Sequence, residues 1–249
     1  MIDLAAVQMI WLRDLIRFSR DRAQILGALA RPILWLVIMG FGLGSMVPRV
    51  GDTSYLGFIF PGIIALNLIF ASFLSAISII WDREFGFLKE ILVAPIPRLS
   101  IALGKAASGS TVSLFHGLIV MAFLPLVGLR VPLTSLLLAL PVMYLMAFVS
   151  TSLGILIASR MTSFEGFGTI ANFVIMPLFL LSGGMFPLDR VPPWLHGVAR
   201  LNPFTYGVDL LRGVLTGVMH YPVWMDVGVL VGCATVFLAA AVVAFNRMA

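Results

Sequence analysis

Asp82, Arg83, Lys89 and Glu90 fall on one side of a helix drawn through residues 81–98, and Phe85, Leu88, Ile91 and Leu92 fall on the other. A short two-faced helix of this kind breaks no bonds. Its chemistry is contact: the apolar side grips neighbouring helices, and the charged side either meets a soluble protein or is simply solvated. Glu84 lies among the apolar positions, where a bare carboxylate is costly, so it should face a basic group or a polar helix end. Gly86 permits close approach of another backbone, and Pro95 and Pro97 stop the helix. A second set lies at 202–212. Asn202 can cap free N–H groups and Pro203 suits the first helical position. Tyr206 belongs at headgroup level, and Asp209 and Arg212, three apart, can pair. A third set is the small polar stripe of Asn67, Ala71, Ser75 and Ser78. A later segment places Asn172, Met176 and Phe179 on one face, with Pro177 freeing the carbonyl of Phe173. Polar atoms set among Met and Phe suit an amphipathic molecule with few charges. Ordinary helix packing is the competing reading at each of these positions.

Catalytic chemistry has little footing. Gly104-Lys105 is followed by Ala106 and lacks the upstream glycine of a phosphate-binding loop, and neither GxSxG nor HExxH occurs. The single Cys233 allows no internal disulfide and no cysteine metal site. His116 beside Ser113 reads as a helix–helix hydrogen bond, although an intramembrane histidine is a functional candidate. A charge at a span centre costs about 2.5–3.5 kcal/mol, and proton-driven pumps carry one there; here no Asp or Glu lies clearly mid-span. An external energy source is therefore expected, with no metal or cofactor on this chain.

The elements that position these residues are apolar. The chain has 249 residues, 61% hydrophobic and 11% charged, with mean hydropathy +1.09. A soluble domain carries roughly twice that charged fraction. The expected fold is all-α: one polytopic membrane domain over 1–249, with six transmembrane helices at 32–47, 55–80, 101–127, 134–158, 169–181 and 223–245. Pro32 suits the first turn of the first span. Residues 182–221 form an outer insert of short helices, re-entrant or interfacial, with Trp194, Tyr206 and Tyr221 near headgroups. Residues 3–22 are amphipathic. Leu4, Val7, Trp11, Leu15 and Phe18 share one face, opposite Arg13, Asp14, Arg17, Arg20 and Asp21, as in a helix lying in the interface.

Placing both termini on one side puts eleven of the sixteen Lys and Arg residues there, so both termini and the 81–98 insert are expected to be cytoplasmic. The basic residues flank spans without interleaved aromatics, which disfavours nucleic-acid binding. No cleavable signal peptide and no internal repeat are visible.

The run Glu84-Phe-Gly-Phe-Leu-Lys-Glu-Ile-Leu-Val-Ala-Pro95 resembles the loop after the second span of type-2 ATP-binding-cassette permeases. A second likeness lies in FPLDRVPPWL at 186–195 and LNPFTYGVDLLRG at 201–213, before the last span. The chain is most similar to the drug-resistance and nodulation-type exporters of that family. The resemblance implies a coupling helix at Asp82, Arg83, Glu84, Phe85, Gly86, Lys89 and Glu90, and a connecting helix using Arg13, Arg17 and Arg20. Both would touch a separate cytosolic ATPase, present in two copies and carrying the ATP and Mg. It further implies a second permease copy in a homodimer, a cavity lined by the second and fifth spans, and an outer gate at Asn202, Pro203, Tyr206, Asp209 and Arg212. The expected cargo is an amphipathic drug or lipid-like molecule exported across a bacterial inner membrane. A lipo-oligosaccharide or polysaccharide cargo, a gradient-driven transporter acting alone, and a membrane enzyme or accessory subunit are the alternatives.

Overall fold

The computed structural model describes residues 2–38, 42, 49–50, 53–86, 96–129, 131–188 and 191–246. Lys89, Glu90 and the rest of 87–95 lie outside those residues, as does most of 39–47 at the end of the first expected span.

Local signals start and stop the helices. Asp3 opens α1 (Leu4–Arg20), its carboxylate accepting from the N–H groups of Ala5 and Ala6. α2 (Arg22–Val37) follows directly, and Pro32 lies inside it. That corrects the place expected for Pro32, which does not stand in the first turn of its helix. The ten residues before Pro32 are rich in Ala, Leu and Arg and are themselves strong helix formers, and membrane helices tolerate an internal proline. A two-residue antiparallel ladder, β1 (Arg49–Val50) with β2 (Thr53–Ser54), is the one departure from helix among the described residues. Ser54 then caps α3 (Tyr55–Ser75) by accepting from Gly57 N at 3.1 Å. After a single turn residue, Ala76, comes α4 (Ile77–Glu84), and the pair forms a near-continuous helix of 30 residues.

The second half is built the same way. α5 (Arg98–Met121) starts behind Pro97, and the short α6 (Leu124–Val127) ends on left-handed Gly128. α7 (Leu133–Ala158) starts behind Pro132, and Ser163 caps α8 (Phe164–Leu180). α9 (Pro193–Leu201) and α10 (Pro203–Thr216) share Asn202 as stop and start, and α11 (Val223–Asn246) follows.

α3 is the centre of the fold, packing on α2, α5, α7, α8 and α10. Sixteen of its 21 residues are buried, so it belongs to the protein core and not to the lipid boundary. Ser150 on α7 donates to the Ile69 carbonyl on α3 at 3.0 Å, an interhelical bond of the kind that holds helices together in lipid. Apolar side chains left exposed, such as Leu137 and Leu138 on α7, Val231 and Val236 on α11 and Phe173 on α8, suit hydrocarbon.

Among the described residues, three helices are long and apolar enough to cross a bilayer: Tyr55–Glu84, Leu133–Ala158 and Val223–Phe245. Two other expected spans fall short for visible reasons. Arg98–Met121 carries Arg98, Lys105, four serines and a threonine. Phe164–Leu180 is apolar but has only 17 residues.

At Gly62 the outer insert touches α3 backbone to backbone. A Cβ there would lie 2.2 Å from the Gly184 carbonyl oxygen, closer than atoms can approach. Gly62→Ala should therefore cost about 1–3 kcal/mol through overpacking. In a thermal melt of the purified protein this appears as a drop of roughly 2–12 °C. An unchanged midpoint would show that the insert does not sit this tightly on α3.

Candidate functional site

The C-terminal end of the 30-residue helix carries a closed lattice of charge. Asp82 on α4 is only 6% exposed. Its Oδ2 accepts from Lys105 Nζ at 2.6 Å and from Arg13 Nη2 at 2.9 Å. Asp14 on α1 takes the same two cations: Oδ1 accepts from Arg13 at 2.8 Å, and Oδ2 lies 3.2 Å from Lys105 Nζ. Ser108 donates to Asp14 at 3.1 Å, and Lys105 also reaches Ser78 at 3.2 Å. Two cations and two carboxylates thus form a neutral square joining α1, α4 and α5. Burial alone would raise the Asp14 pKa, but Lys105 and Arg13 outweigh it and hold the carboxyl below its ordinary value. Buried ion pairs contribute little net stability, because desolvation offsets their attraction; what they supply is a defined geometry that is costly to break.

Further bonds tie this end to its surroundings. Arg83 donates to the carbonyls of Met161 at 2.6 Å and Ser159 at 2.8 Å, holding α4 to the turn between α7 and α8. The Asp3 N–H donates to Ser100 Oγ at 2.8 Å, and Trp11 Nε1 donates to Thr111 at 3.0 Å, pinning α1 along α5.

These positions revise the expected face. Asp82 does not look outward with a solvated charged side; it turns into the chain because Lys105 and Arg13 wait there. Arg83 is spent on backbone carbonyls. On α1, Arg13 and Asp14 also point inward, while Met9, Leu12 and Ile16 form a second, exposed apolar stripe. Left outward are Trp81, Glu84 and Phe85 at this end and Arg17 and Arg20 on α1. Phe85 is 74% exposed. The Arg17 guanidinium stands 5.0 Å from the Trp81 ring centre. Glu84 is exposed at the C-terminal end of its helix, where the dipole disfavours an acid, and it forms no ion pair among the described residues. Gly86 ends the helix with φ +78°, a conformation open mainly to glycine.

The proposed pathway residues separate. Ser75 and Ser78 line a cleft of about 330 Å³ beneath α1, together with Asp14, Trp81 and Ser108. Asn67 is buried in the core and donates to Ile63 O on its own helix at 3.1 Å. Asn172 and Met176 are exposed on α8, but Phe179 is buried edge-on against Trp35, which corrects the shared face expected for the three. The stripe that α8 exposes runs through Asn172, Phe173, Met176 and Leu180.

At the opposite end, Asn202 accepts from Phe204 N at 3.0 Å and donates to the Leu178 carbonyl, joining α10 to α8. Pro203 stands at the first position of α10, and Tyr206 donates to Arg200 O at 2.8 Å. Asp209 and Arg212 do not form the expected pair. Both Asp209 oxygens accept from backbone N–H groups of His220 and Tyr221, at 2.8–3.0 Å, and Arg212 donates to Gly183 O at 2.7 Å. Spacing permitted the pair; better-placed backbone partners took its members.

Lys105 is the residue that sequence reasoning passed over. Its signal was its setting, since a lysine well inside an apolar helix needs a counter-charge, and Asp14 and Asp82 were available.

A bilayer-length apolar helix, tied at one end to α1 and α5 by a buried charge lattice beside exposed aromatic and charged residues, suits a membrane-embedded permease. The chain belongs to the ABC-2 type transporter family, which matches residues 5–216. It is 32% identical over 224 residues to Nodulation protein J of Rhizobium leguminosarum bv. trifolii, covering 89% of this chain and 85% of that protein. It is 30% identical over 237 residues to Nodulation protein J of Rhizobium meliloti (strain 1021), covering 93% and 90%. It is 29% identical over 242 residues to the Inner membrane transport permease YadH of Escherichia coli (strain K12), covering 91% and 89%.

Proposed function

We propose that this chain is the permease subunit of an ATP-driven exporter, moving an amphipathic drug or lipid-like molecule out of the cytoplasm or inner leaflet of a bacterial inner membrane. Six spans, both termini cytoplasmic, and two copies of the chain working with two copies of a separate ATPase complete the reading. ATP and Mg bind on that ATPase.

The observation that carries it is the union of an exposed contact strip with a rigid base. A push on Phe85, Glu84 or Trp81 meets a helix end held at once to α1 and α5 by the charge square and to the α7–α8 turn by Arg83. Such an end moves as a body, and α3 continues the same helix through the core. Closure of the ATPase pair would thereby tilt α3 and α8 and open the pathway outward. The cleft holding Ser75 and Ser78, and the exposed α8 stripe with Asn172 and Met176, are the surfaces offered to cargo.

Membership of the family implies an ATPase partner, which favours this reading over a gradient-driven transporter acting alone. Reconstitution of the chain in vesicles, with and without an ABC ATPase subunit that co-purifies with it, tests the choice. ATP-dependent movement of a fluorescent amphiphile only when both are present is the expected result. Transport by the isolated chain, driven by an ion gradient, would overturn it.

A further inference from the structure

The outer end of the fold holds a cation whose neighbouring acid, Asp209, is turned to other partners. Arg212 on α10 lies over the ring of Phe58, with the guanidinium carbon 4.1 Å from the ring centre. One terminal nitrogen donates to Gly183 O, but Nε is shut off from solvent and has no acceptor. Arg212 forms no ion pair among the described residues. Asp209, the nearby acid, is bonded to backbone N–H groups. Burial pulls the Arg212 pKa down to about 10, with Asp209 opposing the shift, so the side chain stays charged at neutral pH.

This side chain lines a cavity of about 210 Å³. The Tyr221 hydroxyl, on the same wall, is also buried without a partner. Two donors thus lack acceptors, and the half-buried guanidinium shares the wall only with Asp209, whose oxygens already accept from backbone N–H groups. Leu188 and Met219 add an apolar margin. At about 30 Å³ per water, the cavity has room for several waters or one small acidic headgroup.

We infer that this cavity is an oxyanion subsite, in which Arg212 and Tyr221 receive a phosphate, sulfate or carboxylate while Leu188 and Met219 take the first carbons of an apolar stem. Its place on an exit route rests on the exporter reading; the binding itself does not. An arginine donating to a charged acceptor in a desolvated site is the strong form of hydrogen bond.

The test uses the full chain, purified without ATPase into phosphatidylcholine nanodiscs, so that a failed exporter reading and a failed subsite give different results. Calorimetry with hexyl phosphate, hexyl glucoside and inorganic phosphate is the first arm. Hexyl phosphate should bind and hexyl glucoside should not, and Arg212→Gln should weaken hexyl phosphate roughly tenfold to a hundredfold. Equal binding of inorganic phosphate would assign the site to free anions, and tighter hexyl phosphate would assign it to amphiphiles; both support an oxyanion site. The second arm needs no variant: hexyl phosphate should protect Arg212 of the wild-type protein from phenylglyoxal, read by mass spectrometry. Absence of phosphate binding, undiminished binding in a folded Arg212→Gln, or equal labelling with and without hexyl phosphate would overturn the inference.

Discussion

Lys105→Met is expected to lower the thermal midpoint of the purified protein by about 6–20 °C. Lys105 is 4% exposed, and its ammonium touches both carboxylates of the square. Methionine fills similar volume without charge, so the loss is electrostatic. Asp14 and Asp82 would be left sharing Arg13 alone, one negative charge in excess in a buried place. Breaking a buried pair from one side costs about 3–5 kcal/mol, because the stranded charge has lost its compensation. The double variant Lys105→Met/Asp82→Asn restores neutrality and should recover much of the midpoint. A single variant that melts like the wild type would show that the square is not closed in the working protein. On the exporter reading, a complex carrying Lys105→Met should also move less cargo per ATP hydrolysed by its ATPase, because the tie between α4, α1 and α5 would be broken.

Phe85→Ser should do the opposite: keep the melt and lose the partner. Phe85 is exposed and touches only the ring of Trp81 among the described aromatic contacts. Removing a large exposed aromatic costs the isolated fold little. If its ring fills a pocket on the ATPase, truncation costs about 2 kcal/mol or more of binding, which is roughly 30-fold in affinity. Glu84→Arg should add to the loss by reversing the charge offered at the same edge. Unchanged ATPase affinity in Phe85→Ser would move the contact elsewhere. Arg83→Glu is a poorer probe, because it would also release the carbonyls of Ser159 and Met161 and so damage the fold itself.

Much of the architecture was readable before any contact was known, because its causes are local. Asn202 followed by Pro203 starts a helix wherever it stands, and α7 begins within one residue of the expected 134. The site was less readable. Arg13 and Asp82 are 69 residues apart, and Lys105 and Asp82 are 23 apart. Helical periodicity says which side of a helix a residue occupies but not what waits on that side. Asp82 was therefore assigned to solvent by its charge, when two cations on other helices made the interior the better place. Phe179 failed for the same reason: α8 turns it toward Trp35 on a helix far away in sequence.

The closed square also limits how this sequence can drift. Each cation touches both acids, so no corner can be neutralised alone without stranding a charge. Substitutions at positions 13, 14, 82 and 105 should be inherited in compensating pairs. A related chain with an uncharged residue in place of Lys105 should also have given up one of the two acids.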